Sequence, residues 1–134
     1  MLVQSLFKTV QALDPVAQAA GTTNGIAVDT QGFDVAIFNC YAGTVGASGT
    51  IDFKLQESDT SGGTYTDITG ATVPQIAAAN DNALYKVRAR LQKGRKRFLR
   101  VVSVVATATC PVSAWCDLTD AKAEVPIQTI TTEV

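Results

Sequence analysis

The chain has no histidine, only three cysteines and one tryptophan, and charged residues fill just 17% of its 134 positions. Histidine is the side chain whose ordinary pKa lies nearest neutral pH. Without it, general acid–base work falls to a carboxylate or a lysine that burial must shift strongly. The twelve acidic residues are scattered over turns and strand faces, whereas carboxylate-pair chemistry needs two that converge. A serine nucleophile would lack an imidazole base, and Gly46-Ala47-Ser48-Gly49 does not have the Gly-x-Ser-x-Gly spacing of a nucleophile elbow. Gly43, Gly46 and Gly49 are not followed by Lys-Ser or Lys-Thr, which argues against a phosphate-cradling loop. Cys40, Cys110 and Cys116 show no paired-ligand spacing and are too few for tetrahedral zinc. No catalytic residue, cofactor or metal is expected, and the chain reads as a non-enzyme.

Long apolar runs are also missing. Val101-Val102-Ser103-Val104-Val105-Ala106 is far shorter than the roughly 20 residues that cross a bilayer. The opening Met-Leu-Val-Gln-Ser-Leu-Phe-Lys has no basic leader and no small-residue cleavage site, so a cytosolic chain with reduced, buried cysteines is expected. If residues 110 to 116 are extended, Cys110 and Cys116 stand roughly 20 Å apart at about 3.3 Å per residue. A disulfide needs Cα atoms within about 7 Å.

What is present is a composition that folds. Hydrophobic residues make up 46% of the chain and the net charge is −1, unlike the polar, highly charged make-up of disordered proteins. The length suits one domain spanning residues 1–134. Alternation with a period of two recurs, and no segment carries a helical stripe. Phe33 to Tyr41 is rich in strand formers. Thr50 to Glu57 sets Ile51, Phe53 and Leu55 against Asp52, Lys54 and Gln56. The turn Ser58 to Thr64 lets Tyr65 to Ile68 return antiparallel as a hairpin. Residues 70–82 read as a loop with at most one helical turn. Ala83 to Leu91 alternates again, with Tyr85, Val87, Ala89 and Leu91 on one side. Phe98 to Ala106 is nearly continuous in apolar residues, as in a central strand covered on both faces. Val112 to Leu118 suggests one more strand, with Trp115 as an apolar anchor. The fold expected is all-β: a single antiparallel β-sandwich or jelly roll. Its terminal segments, about 1–30 and 119–134, would be extended arms that pair with neighbouring subunits.

Charge is unevenly placed. Eight of the eleven basic residues, Lys86, Arg88, Arg90, Lys93, Arg95, Lys96, Arg97 and Arg100, lie in one acid-free stretch. With Lys93-Gly94-Arg95 as its turn, this stretch reads as a β-hairpin. Three uses are open: solvating an exposed edge, contacting phosphates, or gripping an acidic protein surface through arginine forks. A sequence pI of about 5.2 and the shortage of interleaved aromatics argue against nucleic acid as the partner.

Phe53-Lys54-Leu55-Gln56-Glu57-Ser58-Asp59-Thr60-Ser61-Gly62-Gly63-Thr64-Tyr65-Thr66-Asp67-Ile68 is followed by Leu84-Tyr85-Lys86-Val87 and then by Lys96-Arg97-Phe98-Leu99-Arg100-Val101-Val102. This series resembles the capsid cement or decoration proteins of tailed bacteriophages, over roughly residues 33 to 106. The resemblance implies a small β-sandwich assembled in the host cytoplasm and located in the virion. It would bind the outside of the major capsid protein shell, as a dimer or trimer, and stabilise it by bridging adjacent subunits. On that reading Arg88, Arg90, Arg95, Arg97 and Arg100 grip carboxylates of the partner, aided by Phe7 and by an arm carrying Pro126, Ile127 and Ile130. A tail or head–tail connector component, or a carbohydrate-binding module using Tyr41, Tyr65, Tyr85 or Trp115, is the alternative. Most of those aromatics are expected to face the core.

Overall fold

The computed structural model describes residues 7–91, 94–120 and 132–134. It contains ten strands: β1 (Phe7–Gln18), β2 (Gly21–Asn24), β3 (Val28–Asp29), β4 (Val35–Ala42), β5 (Thr50–Ser58), β6 (Thr66–Thr72), β7 (Ala83–Arg90), β8 (Phe98–Ala106), β9 (Cys110–Thr119) and β10 (Thr132–Glu133). They form two sheets, ordered β1-β9-β4-β7-β10 and β2-β8-β5-β6, with β3 also paired to β8. The protein is a β-sandwich. Every pairing is antiparallel except that of β10 with β7, which is parallel.

The two-residue period decides which side chains meet between the sheets. Ile51, Phe53 and Leu55 of β5 are buried, as are Ala36, Phe38 and Cys40 of β4, Val87 and Ala89 of β7, Leu99, Val101 and Val105 of β8, and Ala114, Cys116 and Leu118 of β9. Tyr85 and Leu91 pack against this core as the alternation predicts. β8 is bonded on both sides, and Val102 on its other face is also buried. All three cysteines are buried and unbonded. Burial pushes the Cys40 thiol up to about 12, as expected where a thiolate would lose its hydration.

Three expectations need correction. The basic stretch is not a hairpin, because β7 and β8 belong to different sheets and the chain crosses the end of the sandwich between them. Each strand pairs where its inward apolar set meets the core: Phe38 lies opposite Val87, and Leu55 opposite Val101. Neither described terminal segment is a loose arm. β1 lies along β9 from Phe7 to Gln18, and β2 and β3 bond β8. At the other end Val134 donates to the Arg88 carbonyl at 2.8 Å and accepts from the Arg90 amide at 2.8 Å. Both segments thus fill hydrogen-bonding edges that the sheets would otherwise leave open. Finally, the loop expected over residues 70–82 begins only after residue 72. β6 runs on to Thr72, Ile76 forms a two-bond bridge with Ile51, and Asn80 closes a turn onto the Ala77 carbonyl at 3.0 Å.

β1 is irregular. Its register with β9 shifts between Gln11 and Leu13 and again between Leu13 and Val16. Residue 12 and one of the pair 14–15 are therefore extra to the ladder, and Pro15 sits where no ladder bond is needed. The shift turns both Ala12 and Leu13 into the core.

Candidate functional site

Each described arginine of the basic stretch already has a partner within the chain. Arg97 bonds Asp29 in a fork, with Nε to Oδ1 at 2.9 Å and Nη2 to Oδ2 at 2.7 Å. Arg95 Nη1 lies 3.3 Å from Glu57 Oε2, which also accepts the Lys96 amide at 3.3 Å. Arg100 donates Nε and Nη2 to Gln56 Oε1 at 2.9 and 2.7 Å and stacks over Tyr65 at 4.1 Å. Arg88 and Arg90 both pair with Glu133. Burial works to raise the Glu133 carboxyl, but the two guanidinium charges outweigh it and hold the group below its ordinary value. Acids from β3, β5 and β10 thus pair with four of the five arginines, and the fifth, Arg100, bonds a neutral amide. Pro126, Ile127 and Ile130 lie outside the described residues.

The outer face of the β5–β8 sheet is correspondingly polar and self-bonded. Lys54 and Gln56 both donate to Asp67, at 3.1 and 2.8 Å, and Gln75 donates to Asp52 at 3.0 Å. The Asp67 carboxyl is held below its usual range by the bond from Gln56, then by that from Lys54.

Exposed large apolar side chains are found elsewhere. Phe7 is 45% exposed, Val16 47% and Ile26 44%, and all three lie along the rim made by β1 and the segment after β2. Leu13, Val16 and Ile26, together with Thr23 and Asn24, line an apolar notch of ≈ 190 Å³ at this open side of the sandwich. Gly25 fixes the notch. Its amide bonds Val101 O at 2.7 Å while the Ile26 amide bonds Ala12 O at 2.8 Å, so the segment bridges the two sheets.

Tyr41 and Leu84, the other two exposed apolar residues, stand on the outer face of the β1-β9-β4-β7 sheet. Register builds this face row by row. Tyr41 lies between Ser113 and Leu84. In the next row Trp115 lies between Gln11 and Asn39, and Asn39 faces Lys86. Further along, Asp117 accepts Thr9 Oγ1 at 2.7 Å and Asn39 Nδ2 at 3.0 Å. Asn39 is buried beneath its neighbours, and its Oδ1 has no hydrogen-bond partner. An open cleft of ≈ 500 Å³ lies where the bulges interrupt the β1–β9 ladder, lined by Thr9, Gln11, Pro15, Ser113 and Trp115 among others.

Trp115 is therefore not a core anchor, and Tyr41 does not face the core. Alternation carried the signal: Ala114, Cys116 and Leu118 point inward, which leaves Trp115 outside, as inward Cys40 leaves Tyr41. Tyr65 lies on the opposite sheet under Arg100, and of the four only Tyr85 packs against the core. Of the expected contact residues that are described, Phe7 alone is an exposed apolar group. Val16, Ile26 and Gln11 carry no such signal in the sequence, since bulges and rim geometry depend on pairing partners that are distant in sequence.

Among the described residues no three His, Cys, Asp or Glu side chains converge as metal ligands, and no helix is long and apolar enough to cross a membrane. No family model, curated protein or solved structure matches the chain.

Proposed function

We propose that the chain is a non-enzymatic virion structural subunit of a tailed bacteriophage, a cement or decoration protein that binds the outside of the major capsid protein shell and bridges adjacent subunits. The observation that carries this reading is the partition of its surface. Lys54, Arg95, Arg97 and Arg100 on the β5–β8 side are bonded within the chain, while Phe7, Val16 and Ile26 stand exposed along one rim. A surface of this kind docks by apolar burial and uses its charges for internal order. Burying a large apolar side chain fully is worth about 1.5–3 kcal/mol. Three that are already half covered give on the order of 3 kcal/mol per subunit, a weak contact that a symmetric lattice multiplies. The likeness of the Phe53–Ile68 hairpin and of the two strands that follow to cement proteins supports the same assignment.

The test is binding of purified protein to shells assembled without it, followed by sedimentation and by the heat resistance of the shells. Wild type should bind and raise that resistance. Phe7→Asp with Ile26→Asp should weaken binding at least tenfold while the far-ultraviolet spectrum stays that of the β-sandwich. Binding should change little with salt, since the arginines are paired within the chain. Absence of binding by wild type, or equal binding by the double variant, overturns the proposal.

A further inference from the structure

The cleft beside Trp115 has a chemistry different from the rim. One wall is a half-exposed indole. Around it stand the Gln11 amide opposite in register and the Ser113 hydroxyl two residues before it on β9, while Asp14, which lines the neighbouring rim notch, accepts from Gln11 Nε2. That bond uses one Gln11 amide hydrogen and leaves the carbonyl oxygen as an acceptor. Tyr41 is the diagonal cross-strand neighbour of Trp115, and such pairs have their Cβ atoms about 7–8 Å apart. The face thus offers two aromatic surfaces in succession with planar polar groups along one side. Its volume lies within the range of about 300–1,000 Å³ typical of small-ligand clefts.

An aromatic face is electron-rich and attracts the weakly positive C–H bonds of a flat apolar surface. A pyranose presents such a surface on one side of its ring and a belt of hydroxyls around the edge. Asp14 and Asp117 disfavour a phosphate or any other anion here. A peptide side chain would fill the apolar part but leave Gln11, Asp14 and Ser113 without complementary groups. We propose that this cleft is a carbohydrate site. The apolar face of a neutral sugar ring stacks on Trp115, its hydroxyls donate to Gln11 Oε1 and Asp14 and accept from Ser113 Oγ, and the next ring of an oligosaccharide reaches Tyr41.

The single tryptophan of the chain makes binding directly visible. Tryptophan fluorescence and calorimetry would be followed during titration with maltohexaose, cellohexaose, xylohexaose and chitohexaose. Wild type should give a saturable change with at least one of these. Trp115→Ala should weaken calorimetric binding at least tenfold and Gln11→Ala several-fold, while Tyr65→Ala on the opposite sheet leaves it unchanged. Should Trp115→Ala fail to fold, Gln11→Ala together with Ser113→Ala replaces it, with the same tenfold loss expected. Phe7→Asp removes a rim contact but should leave sugar binding intact, so this site and shell docking fail separately. No saturable response by wild type to any of the four sugars, or binding by Trp115→Ala or the Gln11/Ser113 double variant within twofold of wild type, overturns the proposal.

Discussion

Arg97 grips both carboxylate oxygens of Asp29, which ties the start of β8 to the short strand β3. The Arg97 hydrogen bond, followed by the Gln31 amide, lowers the Asp29 carboxyl to about 2. An unfolded aspartate titrates near 3.9. The folded value is the lower one, so the pair's contribution to stability is complete above about pH 4 and fades as pH falls toward about 2. The Asp29 carboxyl carbon, followed by NMR, should titrate near the low value in wild type and return toward the ordinary one in Arg97→Gln. Denaturant midpoints of wild type should fall across that acidic window, and those of Arg97→Gln should fall less. A wild-type Asp29 that titrates as an ordinary aspartate would show that the fork does not persist in solution.

Gly25 leaves no room for a side chain. A Cβ there would stand 2.4 Å from Ala12 O and 2.6 Å from Val101 O, the two carbonyls through which this segment bridges the sheets. Gly25→Ala must push the segment away and lose those bonds, a cost of roughly 2–4 kcal/mol by overpacking and unsatisfied carbonyls. Gly62→Ala, at the exposed hairpin tip with nothing within 4 Å, should change stability by less than about 0.5 kcal/mol. Equal thermal midpoints for the two variants would contradict the bridging role.

The last three residues work as a latch. Glu133 pairs with Arg88 and Arg90, Thr132 Oγ1 donates to Thr72 O at 2.8 Å, and Val134 bonds β7. Because the Glu133 carboxyl is held below its ordinary value, the latch is complete above the unfolded glutamate pKa and weakens as pH falls through the folded one. Glu133→Gln should imitate low pH at neutral pH. Partly exposed ion pairs contribute only about 0.2–1 kcal/mol each, so the effect is local. Hydrogen exchange at the Arg90 and Val134 amides should accelerate several-fold while β5 and β8 stay protected. Uniform acceleration across both sheets would mean that β10 is part of the global fold and not a separable latch.

The sequence carries strand identity well and pairing poorly. Ile51, Phe53 and Leu55 alternate with polar residues so cleanly that β5 and its return are readable, because alternation is a local property. Nothing local distinguishes a hairpin between β7 and β8 from a crossing between sheets. That choice depends on Phe38 and Leu55 meeting those strands from far along the chain. The internal partners of the basic stretch were hidden for the same reason. Glu57, Asp29 and Glu133, which pair with four of its arginines, are distant in sequence. Trp115 was readable, since its neighbours Ala114 and Cys116 both point inward; its size suggested an anchor, but period two placed it outside. The Gln11 side of the cleft was not, because it exists only where bulges displace β1.

Because β10 is the edge strand beside β7 and Thr132 bonds Thr72 of β6 in the other sheet, foreign sequence fused after Val134 would start at the seam between the two sheets and pull on it. The tip between Thr60 and Thr64, open to solvent and remote from both the apolar rim and the indole cleft, is the natural attachment point for foreign sequence.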